Sequence, residues 1–164
     1  MVSTRATHLS AFILLSCWGL GCTGPGVSLR ADGSPGPQAC AQKALEAMRI
    51  LRLRPGDSSA SIVIDANQSS QSPVSLTDGP VESYLLEELG YLSPLTRLYG
   101  QIWTGGPNVI IRYYEARPPD GEPIPICAVA RLGHGGLRKK PESPPGVALI
   151  DDSRAAVFIV DGFR

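Results

Sequence analysis

Breaks come too often along this chain for long helices. Eighteen glycines and 15 prolines are spread over 164 residues. After residue 53 the apolar residues alternate or run in short blocks between turn-forming residues. That pattern argues against an all-helical bundle and for a mainly β (α+β) chain. Apolar residues make up 43% of the sequence, enough for a core, and the length suits one domain rather than two.

One segment reads as a helix. Over residues 38–53, Ala41, Ala44, Leu45, Met48 and Leu51 recur at three- and four-residue spacing on one face, with Lys43, Glu46 and Arg49 opposite. Pro37 suits the start, and Pro55-Gly56-Asp57 stops it. The stripe is a core-packing face.

Strands follow. Residues 60–65 alternate, with Ile62 and Ile64 on one side and Val63 on the other; Val74–Thr77 is short and closed by Asp78-Gly79-Pro80. Residues 81–92 fit either a short helix through Leu85, Leu86 and Leu89 or a strand, and the helix is favoured. Arg97–Trp103 and Asn108–Arg117 are strands joined by Thr104-Gly105-Gly106-Pro107. Pro118-Pro119-Asp120-Gly121 turns the chain into a returning strand, Glu122–Arg131. Pro123 and Pro125 lack donors on the same edge of that strand, so the edge should be unpaired near the turn. Residues 133–146 read as a long polar loop. The run 155–160 suits a strand buried on both faces. The expected product, over residues 38–164, is a small antiparallel β-sandwich or partly open barrel of about six or seven strands with one N-terminal helix packed on it.

The first residues carry a different message. Met1–His8 is polar with Arg5 as its one positive charge, and Leu9–Leu20 is apolar. About a dozen apolar residues is a signal-peptide length and too short to span a bilayer. The composition then turns to Gly, Pro and Ser from Cys22 to Pro37. Leu20-Gly21-Cys22 resembles the lipobox of bacterial lipoproteins. The resemblance implies removal of residues 1–21, attachment of lipid to Cys22 and anchorage in the cell envelope. Thr23 stands where an aspartate would imply retention in the inner membrane, so the implied address is the outer membrane, facing the periplasm. Leu14-Leu15-Ser16-Cys17 is the competing site, with Cys17 as the lipidated residue; an ordinary secretory signal is the other alternative. Residues 22–37 then read as a flexible tether. The segment from Trp103 through the turn, the strand and Asp120-Gly121 to the returning strand also resembles β-domains of bacterial envelope scaffold proteins. It is similar as well to small envelope lipoproteins with a Gly-Cys-Thr-Gly-Pro start and a proline-cysteine hairpin strand. Neither resemblance implies an activity.

Cysteine counting bears on the choice. With Cys22 lipidated, the four cysteines leave Cys40 and Cys127 as a pair; with Cys17 lipidated, one thiol is left over in an oxidising compartment. A Cys40–Cys127 bridge closes a loop of roughly ninety residues, worth about 4 to 5 kcal/mol in the chain-entropy model. The alternative is two buried free thiols.

Chemistry is thinly represented. There are two histidines, and His8 falls in the signal. His134, in Gly133-His134-Gly135-Gly136, is a candidate base without a recognisable serine elbow. Asp151-Asp152 and Glu87-Glu88 are adjacent pairs, which point apart in an extended chain and do not make a glycosidase-type pair. No phosphate-binding loop is present, two cysteines alone do not hold a metal, and no cofactor is implied. A net charge near zero argues against nucleic acid. Arg138-Lys139-Lys140 is either a contact for an anionic lipid or glycan surface or a solvated loop. Trp103, Arg112 and Tyr114, with Tyr113 between, are either a binding face or cross-strand packing. These features lead to a non-enzymatic, lipid-anchored envelope module that binds a protein or glycan. The alternative is an exported hydrolase using His134 or a carboxylate pair.

Overall fold

A computed structural model of the chain describes residues 26–69, 71–133 and 135–164. Cys17, Cys22 and His134 lie outside the described residues.

The elements in order are β1 (Gln38–Ala39), α1 (Gln42–Ile50), β2 (Ser59–Val63), β3 (Val74–Thr77), β4 (Gly79–Leu85), β5 (Arg97–Trp103), β6 (Asn108–Arg117), β7 (Ile124–Arg131), β8 (Leu137–Arg138), β9 (Val147–Ile150), β10 (Arg154–Ile159) and β11 (Gly162–Phe163). Six of the strands run antiparallel around a closed ring, β2-β4-β5-β6-β7-β10, with β10 returning to β2. The expected barrel is therefore present, and it is closed rather than partly open. Closure removes the free edges an open sheet would expose. β3 pairs with β9, β1 with β11, and β8 extends the sheet beside the first residues of β6.

The inward faces fill the barrel. Ile62, Leu85, Leu98, Ile111, Ala128, Val157 and Ile159 are all inaccessible to solvent. Tyr113 is the largest of the enclosed side chains lying among small partners: its register neighbours are Gly100 on β5 and Ala128 on β7. Gly100 sits at a bulge, and a Cβ there would collide with the Arg112 carbonyl oxygen and the Tyr113 ring. Large and small residues thus alternate around the ring, as a narrow barrel requires. The Tyr113 hydroxyl lies 2.7 Å from the Ser83 hydroxyl, which also donates to the Ile64 carbonyl.

Four expectations need correction. Residues 81–85 belong to β4, not to a helix. Val81, Ser83 and Leu85 face inward, and the serine in that row hid the alternation; its hydrogen bonds allow it to be buried. The helix is shorter than 38–53, because Gln38 and Ala39 pair with Phe163 and Gly162 and Arg52 adopts a left-handed φ of 56° just past its end. β10 is buried on one face only: Ala155, Val157 and Ile159 point inward, while Ala156 and Phe158 are half-buried outside. The loop 133–146 contains β8, whose Leu137 is 3% exposed and joins the core. As the two prolines implied, the β10 ladder on β7 covers only Ala128–Arg131 and leaves that edge of β7 without a strand partner near the turn, where the other edge still pairs with β6.

Helix α1 packs on β7 with Ala44 and Met48 buried, and the Cys127 N–H reaches the Met48 sulfur at 3.3 Å. Cys40 lies just before the helix, which starts at Gln42. Its sulfur is 2.16 Å from that of Cys127, and the two Cα atoms are 6.0 Å apart.

Candidate functional site

The outward face of β6 carries Ile110, Arg112 and Tyr114. Arginine in the middle of a barrel strand usually reaches water; here it does not. Arg112 is 1% exposed, and Trp103, on the neighbouring strand β5 opposite Ile110, is 8% exposed. The sequence places these residues on one face, and the structure does bring them together: the Arg112 guanidinium carbon is 5.5 Å from the Trp103 ring centroid. The face is nevertheless covered.

The cover is the chain's own segment. The tether expected over residues 22–37 is, in its described part, a small hairpin docked on the barrel. Gly36 N–H donates to the Ser28 carbonyl at 2.6 Å and Arg30 N–H to the Ser34 carbonyl at 2.8 Å; Leu29 and Pro35 form a bridge. Asp32 closes the tip by accepting from the Ser34 hydroxyl and N–H, and those bonds hold its carboxyl below the usual range. The tip lies so close to the turn after β5 that a Cβ on Gly105 would meet the Asp32 carbonyl oxygen at 2.6 Å. Ser34, Pro35 and Gly36 are buried. The segment has little apolar surface, but backbone groups and close backbone approach suffice to dock it.

Arg112 is the residue this hairpin covers. Its Nη2 donates to the Gly36 carbonyl at 2.8 Å and the Pro35 carbonyl at 3.3 Å. The guanidinium is flanked by the Phe163 ring, 4.9 Å to its centroid, and by Trp103 on another side. Tyr114 packs edge-on against Phe163, with centroids 5.3 Å apart, and donates to Gln38 Oε1 at 3.2 Å. Burial pulls the Arg112 pKa down, with Tyr114 opposing, and burial raises that of Tyr114, with Arg112 opposing. Arg112 Nη1 is buried and has no hydrogen-bond partner among the described residues. No carboxylate pairs with Arg112 among the described residues; the ion pairs there engage Arg97, Arg117 and Lys140.

Beside this cluster runs a groove of about 670 Å³ over the outside of β6, β7 and β10, walled by β11. Arg112, Val129, Arg131, Phe158, Phe163 and Arg164 are among its lining residues. The register puts Arg112 opposite Val129 and Val129 opposite Phe158, so the three form a row across the strands. Arg131 stacks on Phe158 with its guanidinium carbon 5.5 Å from the ring centroid.

The other candidates are dispersed. Lys140 Nζ binds Asp151 at 2.7 Å and Glu142 at 3.2 Å, which raises its pKa, so the Arg138-Lys139-Lys140 cluster is partly neutralised; Arg138 is exposed on β8. Asp152 accepts from the Arg154 N–H, and Glu87 accepts from the Ser61 N–H, which lowers its pKa. Asp65 caps the turn Ala66–Gln68. Asp65, Glu87, Asp151 and Asp152 are thus each engaged by a different local contact.

Arg131, Phe158 and Phe163 escaped the sequence reading. One signal was available: an arginine flanked by Ile111 and Tyr113 in a strand is a charge set among residues bound for the interior. The covering hairpin had no such signal. The chain matches no protein-family model and no curated protein.

Proposed function

We propose that this chain is a lipid-anchored protein of the bacterial cell envelope, attached through Cys22 and lying on the periplasmic side of the outer membrane. It works as a non-enzymatic binding module for an envelope protein or glycan and needs no cofactor. The observation that carries this reading is the Cys40–Cys127 bridge, because structural disulfides belong to exported proteins. It agrees with the apolar segment that ends at Cys22 and with the pairing of cysteines that lipid on Cys22 leaves. The barrel interior is filled by side chains, so a ligand would be held on the outside, where the groove beside Arg112 lies. Acyl chains contribute about 0.8 kcal/mol per buried CH₂, so two or three of them make attachment effectively permanent.

The test is metabolic labelling of the full chain with an alkyne fatty acid in a bacterium with two membranes, followed by fractionation and mass spectrometry of the N-terminal peptide. Label in the outer-membrane fraction, lost in Cys22→Ala and kept in Cys17→Ala, is the expected result. An unlabelled, unprocessed chain in the cytosol overturns the proposal.

A further inference from the structure

The Arg112 cluster combines three properties that packing alone does not explain. The guanidinium is removed from water without a carboxylate partner among the described residues, which is costly for a charged group. One of its nitrogens, Nη2, is fixed by two carbonyls of the hairpin, while Nη1, the other arm of the same planar fork, is unpartnered. The groove that Arg112 lines also holds Arg131 and Arg164 against a single acidic residue, Asp161, and no described ion pair engages any of the three arginines. The rest of the lining is largely apolar: Ile110, Val129, Phe158, Val160 and Phe163.

We propose that this groove binds a carboxylate carried on an apolar or aromatic group, with Arg112 Nη1 and Arg131 taking the carboxylate and the Val129–Phe158 floor taking the apolar part. An arginine fork already held by one arm presents the other in a fixed direction, which suits a planar carboxylate. A volume of about 670 Å³ accommodates a small organic acid or the end of a peptide side chain. Nη1 is screened from solvent, so the ligand enters by displacing the Phe163 ring. That ring is 3% exposed and packs on Tyr114 and on the Arg112 guanidinium, so moving it is part of the cost of binding; the strand that carries it, β11, is joined to β1 by a ladder of two residue pairs. The hairpin carbonyls thus position Arg112, and the Phe163 ring packs on its guanidinium. This inference rests on the binding-module reading above but not on the anchor, so the acylation test and the one below can fail separately.

The test uses the full chain purified in mild detergent, with Trp18→Phe so that Trp103, beside the guanidinium, is the one tryptophan. Its emission is followed while phenylacetate, 2-phenylethanol or acetate is added at constant ionic strength. Phenylacetate should give a saturable change and raise the melting temperature. Acetate should bind at least about tenfold more weakly, and uncharged 2-phenylethanol should give no saturable change. Arg112→Met should weaken phenylacetate binding about tenfold or more, and Arg131→Gln about three- to tenfold. Arg131→Gln lies on the outer face and decides the matter if Arg112→Met does not fold. The proposal falls if 2-phenylethanol matches phenylacetate, if phenylacetate gives no saturable change, or if the folded variants bind it as the parent does.

Discussion

Tyr113 and Arg112 are neighbours on β6 that face opposite sides of the sheet, and both are buried. Inside the barrel, Tyr113 is enclosed with its hydroxyl bound to Ser83. Burial pushes its phenol well above the ordinary value, with the Ser83 hydrogen bond opposing. The consequence for stability has a definite sign. Below the unfolded pKa of about 10 both states keep the proton and Tyr113 adds no pH dependence; as the pH rises above it, the unfolded chain loses the proton and the folded chain does not, so stability falls. The slope approaches about 1.4 kcal/mol per pH unit for one such group. Tyr114, also raised by burial, adds to it. Urea titrations between about pH 9 and 11.5 should therefore show a steep loss of stability that Tyr113→Phe reduces. At neutral pH the same variant should cost about 1 kcal/mol, because Ser83 keeps the Ile64 carbonyl as its partner. An unchanged alkaline slope would mean that Tyr113 is not the responsible group. The Tyr113–Ser83 contact is not readable from sequence: alternation puts Val109, Ile111 and Tyr113 on one face of their strand, but nothing ties that face to residue 83.

Among the elements, strands bounded by strong turn residues were legible: β3, β5 and β6 have the limits expected from their flanking Asp-Gly, Gly-Gly and Pro-Pro punctuation. β4 was not, because a satisfied serine occupies an inward position. The hairpin over residues 28–36 was legible least of all. Its hold comes from carbonyls, N–H groups and the approach of Gly33 to Gly105, none of which shows in a hydrophobic pattern. Hydrogen exchange separates the two readings of this segment. The amides of Arg30, Gly33 and Gly36 should be protected well beyond the rates of an unstructured linker, and exchange at linker rates would refute docking. At the other end of the same segment, Cys40→Ala with Cys127→Ala should lower unfolding stability by roughly 4 to 5 kcal/mol, as read from denaturant titration.

For the whole molecule, the sequence favoured a mainly β chain with one helix and left sandwich and barrel open. What decided between them is β5 pairing with β6 on one side and β4 on the other, while β2 and β10, far apart in sequence, complete the ring. Such pairings depend on register between distant segments, and no local pattern encodes them. A closed ring with the hairpin docked on it should unfold as one unit. With Trp18→Phe in place, Trp103 emission and far-UV circular dichroism should give superimposable urea transitions; an earlier change in emission would show that the hairpin leaves first. The Cys40–Cys127 bond has a mechanical consequence. Tension applied at the N-terminus and resisted beyond β7 crosses from Cys40 to Cys127 through sulfur, so the bond is a covalent bypass and α1 and β2 to β6, in the loop it closes, carry no load while it is oxidised. A tug on the front of the chain can strip the hairpin, yet it cannot draw those strands out of the ring until a reductant cuts the bypass.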